Sequence, residues 1–139
     1  MRIVASLLCV GIFFAQEGPI RGAQGVQRIR VGETVSGVLS KDDPPLQGRG
    51  PSKASEFVAE ADGPVTVSFE SFDFDAFLRV EKEGGDLIAE DDNGGVETNA
   101  RVVLQAKTGA CYRIVVAAAG EKGAGEYHLS ILAGDVTLP

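Results

Sequence analysis

Short apolar alternations, cut every few residues by glycine or proline, leave this chain little to become except sheet. From Cys111 to Ala118, the residues Tyr112, Ile114 and Val116 fall on one parity. From Gly125 to Leu132, so do Tyr127, Leu129 and Ile131. A period of two puts such residues on one face of a strand whose other face meets water. Segments Gln27 to Val31, Glu33 to Ser40, Ser55 to Ala61, Val65 to Glu70, Phe74 to Lys82, Asp86 to Glu90 and Glu97 to Ala106 read as further strands. Gly63 is expected to close a hairpin between two of them, and Glu83-Gly84-Gly85 another. Lys41 to Pro51, with three prolines and two glycines, is a loop. Gly120 to Gly125 is expected to be a hairpin turn, since no strand-to-helix transition follows on which a phosphate could sit. Eighteen glycines against one methionine also argue against long helices. The expected fold class is all-β: a compact antiparallel β-sandwich, jelly-roll-like, forming a single domain.

The N-terminus has another character. Met1-Arg2 supplies a positive charge, and Ile3 to Ala15 then runs uncharged until Gln16, Glu17, Gly18 and Pro19 end it. That length suits the core of a secretory signal and falls short of the ~20 residues that span a bilayer. The organisation expected is a signal peptide over 1–16, with cleavage as late as 23, then a linker and first short strand over 17–31. The sandwich follows over 32–132, and a tail over 133–139. Export to the periplasm or outside the cell is the expected localisation, with no membrane insertion once the signal is gone.

Charge narrows the partners. With 13 Lys+Arg against 20 Asp+Glu the formal net charge is −7, which repels polyphosphates and anionic headgroups, so nucleic acid is excluded as a main partner. Of the two cysteines, Cys9 leaves with the signal. Cys111 is then expected to lack an intramolecular partner, a small strand residue or else an intermolecular cross-link, and not part of a disulfide framework or a zinc site.

From Ala54 to Ile131 the sequence carries FDFDAFLRV, a glycine turn, LIAEDDNGG, Asn99-Ala100-Arg101, TGACYRIVV and GAGEYHLSI, in that order. The ordered set resembles the bacterial pre-peptidase C-terminal domain family and covers roughly Glu33 to Leu132. Cys111 stands where that family usually has a small polar residue. The resemblance implies a compact β-sandwich of the kind appended to secreted peptidases and other exterior enzymes, without peptidase activity itself. It also implies binding of calcium in some members, and of collagen or other extracellular polymers in others. Because the signal runs directly into the module, any service to a peptidase is expected in trans.

Only the acids form a constellation worth weighing. Asp73 and Asp75 share a strand face with Phe77 and Arg79, opposite Phe74, Ala76, Leu78 and Val80. Asp91, Asp92 and Asn93 follow in a glycine-rich loop expected over Asp91 to Gly95, with Glu97 and Asn99 after them. If that stretch folds back on the Asp73 strand, hard oxygens converge as calcium requires. Asp73, Asp75, Asp91 and Asp92 are then the candidate metal ligands, and calcium the candidate cofactor. An EF-hand is excluded, because with Gly94 at the glycine position the first and twelfth positions fall on Ala89 and Ala100. The other reading is structural: Asp91, Asp92 and Asn93 shape a turn, while Asp73 and Asp75 pair with Arg101 or accept backbone N–H groups.

Catalysis finds little support. Glycoside hydrolysis by paired carboxylates needs a cleft with stacking aromatics, and the chain has no Trp and two Tyr. His128, the single histidine, points outward by parity, as does Cys111, and nothing supplies an orienting third group. The expected function is a non-catalytic module that binds or stabilises a partner protein or extracellular polymer. The alternative is a calcium-dependent adhesion or carbohydrate-binding domain.

Overall fold

The computed structural model describes residues 26–92, 99–120 and 123–136. The signal segment, Asn93, Glu97 and the tail beyond 136 lie outside them. Nine strands form two facing sheets among the described residues. In chain order they are β1 (Gln27–Arg28), β2 (Thr34–Leu39), β3 (Ser52–Val58), β4 (Gly63–Glu70), β5 (Ala76–Lys82), β6 (Leu87–Asp92), β7 (Ala100–Ala106), β8 (Cys111–Ala118) and β9 (Gly125–Ala133). The first sheet has the order β1-β3-β8-β5-β6 and the second β2-β9-β4-β7. All pairings are antiparallel except β1 with β3.

The parity of the sequence is realised in the core. Tyr112, Ile114 and Val116 of β8 and Ala76, Leu78 and Val80 of β5 face Tyr127, Leu129 and Ile131 of β9 and Val65, Val67 and Phe69 of β4 within one cluster. Leu78, Ile114, Leu129 and Ile131 are completely buried. Aromatic contacts tie the layers internally. Phe57 stacks on Tyr112 with centroids 5.2 Å apart, and the Tyr127 ring meets Phe69 edge-on at 5.3 Å.

The connections depart from expectation. Of the steps from strand to strand, β5–β6 alone joins sheet neighbours among the described residues; every other step crosses between sheets. The expected hairpin around Gly63 is one of those crossings. β3 pairs with β8 and β4 with β7 and β9, so the chain changes layer at Gly63, whose φ of 131° is open to glycine and strained for other residues. The Gly120 to Gly125 connection likewise passes from one sheet to the other and is not a hairpin. Both corrections have one cause: a short turn between two alternating segments looks the same in sequence whether it closes a ladder or bridges two layers.

Two further corrections concern β6 and β8. Asp91 and Asp92 belong to β6, paired with Leu78 and Phe77, and not to a loop. Cys111 is 4% exposed and is not a free thiol. Parity put it correctly on the outward side of β8 but carries no information about what covers that side.

Candidate functional site

The four acids are distributed over the fold, and three of their carboxylates have separate partners. Asp73 lies on the β4–β5 crossover, and its carboxylate accepts the N–H of Glu126 at 2.8 Å, fastening the crossover to the start of β9. Gly125 passes directly against Asp73, leaving no room for a side chain at that position. Asp75 is exposed, and its backbone carbonyl accepts the Ala119 N–H at 2.8 Å. Asp91 accepts the Arg101 N–H at 2.8 Å, a bond that joins β6 of one sheet to β7 of the other. Asp92 points outward and pairs with Arg49 at 3.2 Å. Among the described residues no three His, Cys, Asp or Glu side chains gather around a common point. Asp73 and Asp91 thus each accept a backbone N–H group, Asp91 from within a strand and not from a turn.

His128 is exposed on the outer face of β9, as parity requires, and its Nδ1 lies 2.9 Å from Ser36 Oγ on β2. Glu70 of β4 is its cross-strand partner on the other side. This row stands on the outer face of the second sheet. Cys111 is on the first sheet, so the core separates the two and no Cys–His pair forms.

Two features were not read from the sequence. The first is the turn at the start of the β4–β5 crossover. Ser71 is 3% exposed and heavily bonded: its N–H donates to Asn99 Oδ1 at 3.0 Å, its hydroxyl donates to the Glu126 carbonyl at 2.7 Å, and the same oxygen accepts the Asp73 N–H at 3.0 Å. Phe74 turns into the core. Between them Phe72 is 94% exposed, a large apolar side chain carried into water by a turn whose backbone is fixed. Parity gave no warning of it, because Phe72 and Phe74 are two apart and line one face of an extended strand.

The second is the outer face of the first sheet. Phe77 is 4% exposed although it faces away from the core, because the loop between β2 and β3 lays the Arg49 guanidinium over its ring at 4.0 Å. Arg79, two residues on, is held by Glu81 and Glu90, each at 2.7 Å. These side chains line a concavity of about 400 Å³ completed by Leu46 and Gln47. Parity had placed Phe77 and Arg79 on one face; Arg49 comes from a loop too far away in sequence to be assigned there. Charge pairing continues across the sheet. Arg113 lies 3.6 Å from Glu81, and Arg28 lies 3.5 Å from Glu56. Burial pushes the Glu56 carboxyl above its ordinary value of 4.5, with Arg28 pulling the other way. Beyond the C-terminal end of β3, the Thr108 N–H and hydroxyl both bond Asp62 and hold its carboxyl below the usual range.

Compared as a sequence, the chain matches no family model and no curated protein. Compared as a structure, it superposes on the pre-peptidase C-terminal domain of a collagenase from Bacillus anthracis with a TM-score of 0.58 and 17% identity. The match covers 76% of this chain and 93% of that one. The fold is that of a pre-peptidase C-terminal domain. The resemblance drawn from the ordered motifs therefore holds at the level of architecture, an all-β sandwich in one domain. Two other solved structures also superpose on this chain. One is PliG of Aeromonas hydrophila, a periplasmic inhibitor of g-type lysozyme (TM-score 0.50, 15% identity, 76% of this chain and 96% of that one). The other is CorA of Methylomicrobium album BG8, a surface-associated copper-binding protein (TM-score 0.53, 11% identity, 82% of this chain and all of that one). At such identities the likeness is one of fold, and sites have to be argued from this chain's own residues.

Proposed function

We propose that this chain is an exported, non-catalytic β-sandwich module that binds a partner protein, with a secreted peptidase acting in trans as the first partner to test. The observation that carries the reading is Phe72. A Phe that is 94% exposed gains nothing from folding. Its turn is nevertheless fixed by the Ser71 bonds to Asn99 and Glu126, so little order would remain to be imposed on binding. Exposed aromatics on rigid backbone are what protein interfaces use as anchors. The fold supports the setting, since it is shared with a collagenase domain, a periplasmic inhibitor and a surface-associated protein. The uncharged run ending at Ala15 supports export. Among the described residues no helix is long and apolar enough to cross a membrane.

The test places a photo-crosslinking amino acid at position 72 in the native host, with Lys107, exposed after β7 at the far end of β4, as the control position. A partner should be captured at 72 and not at 107. The purified partner should then lose roughly 30-fold or more in affinity on Phe72→Ala, the effect of losing an anchor worth about 2 kcal/mol. The melting temperature should stay unchanged. Equal capture at both positions, or an unaltered affinity, refutes the reading.

A further inference from the structure

The concavity on the outer face of the first sheet has a chemistry that selects its ligand. We infer that it is a binding site for a neutral carbohydrate, built from Arg49, Phe77, Arg79, Glu81 and Glu90. The inference does not rest on the protein-partner reading and uses none of its residues.

Charge excludes the simplest ligands. Arg79 already has two carboxylates at 2.7 Å, and Arg49 has Asp92 at 3.2 Å. An incoming anion would meet three acids held in place, and an incoming cation would meet two guanidinium groups. Either would have to break an existing pair to gain one of its own. An apolar ligand fares no better, because the one aromatic face available, that of Phe77, is covered by Arg49.

Hydrogen-bonding capacity points the other way. A guanidinium carries five N–H donors and an ionised carboxylate about four acceptor positions. Arg79 uses Nε on Glu81 and Nη1 on Glu90, and Arg49 uses Nη1 on Asp92. The remaining donors of Arg49 and Arg79 and acceptors of Glu81 and Glu90 line a space of about 400 Å³, inside the ~300–1,000 Å³ range of small-ligand sites. A sugar hydroxyl donates and accepts at once, and neighbouring hydroxyls match a donor lying beside an acceptor. A neutral polyhydroxylated ligand is thus the class that satisfies these groups without disturbing the ion pairs. The pairs also fix the side chains before binding, so their ordering is not charged to the ligand.

The experiment titrates the exported chain with soluble tetrasaccharides of cellulose, chitin, xylan and starch, with an oligogalacturonate as the anionic comparison. Binding is followed by calorimetry and by amide shift changes in NMR. At least one neutral tetrasaccharide should bind, with shift changes centred on Phe77 to Glu81 and on Arg49. Arg79→Gln and Glu90→Gln should each weaken it roughly tenfold or more, and Phe72→Ala should leave it unchanged. The NMR map of the unsubstituted protein keeps the test decisive should Arg79→Gln fail to fold. The inference is overturned if no neutral tetrasaccharide binds below about 10 mM, if the oligogalacturonate alone binds, or if the shifts fall elsewhere. None of these results alters the outcome of crosslinking at position 72, so the two readings fail separately.

Discussion

Gly37 and Tyr127 stand opposite one another in the β2–β9 ladder, and their contact yields a prediction in which the sign of a substitution reverses. Gly37 has no positive φ, so its backbone would accept alanine without strain. Space is the obstacle: a Cβ there would lie 2.5 Å from Tyr127 Oη, 2.6 Å from Cζ and 3.0 Å from Cε2. The Tyr127 ring is 5% exposed and packed edge-on against Phe69, so the far side is closed to it. Overpacking of this kind costs about 1–3 kcal/mol. Without the ring, replacing glycine by alanine should stabilise by about 0.4–1 kcal/mol, through the lower entropy of the unfolded chain. Urea unfolding of the parent, Gly37→Ala, Tyr127→Leu and the double variant measures the coupling directly. We expect Gly37→Ala to destabilise the parent and to stabilise Tyr127→Leu, a coupling of about 1.5–4 kcal/mol. If the change costs the same in both backgrounds to within ~0.5 kcal/mol, the ring is not what keeps position 37 empty and the reasoning is wrong.

Glu56 should titrate above 4.5 in the folded protein, because burial outweighs Arg28, and Arg28→Ala should raise it further; carboxyl NMR measures both. The sign for stability follows. Its contribution is fully present below 4.5 and is lost as pH rises through the folded value, because there the native state must ionise a buried group. A folded value at or below 4.5 would falsify this account. The calcium expectation is decided by melting the protein in calcium chloride and in sodium chloride at matched ionic strength. A site made of Asp73, Asp75, Asp91 and Asp92 requires a rise specific to calcium that Asp91→Asn abolishes. The separate bonds of Asp73, Asp91 and Asp92 favour equal shifts in the two salts. They also favour a loss of about 1–3 kcal/mol on Asp91→Ala whatever the cation, through the stranded Arg101 N–H.

What the sequence determined by itself was everything that depends on period two. The alternations at Tyr112, Ile114 and Val116 and at Tyr127, Leu129 and Ile131 fixed which residues face inward, and hence that the chain would close two sheets over one core. The outward direction of Phe77, Arg79 and His128 was legible for the same reason, since parity is a property of neighbouring residues. Tertiary structure decided who meets whom. Gly63 and the Gly120 to Gly125 segment join different sheets, though their turns read as hairpins, because the partner of a strand depends on chain dozens of residues away. Asp91 became a bond between sheets and Asp73 a fastening for a crossover, where proximity in sequence had suggested one cluster. The concavity around Arg79 exists because the loop from β2 to β3 delivers Arg49 to Phe77. Long-range pairing is set by the packing of whole layers, and no local pattern records it.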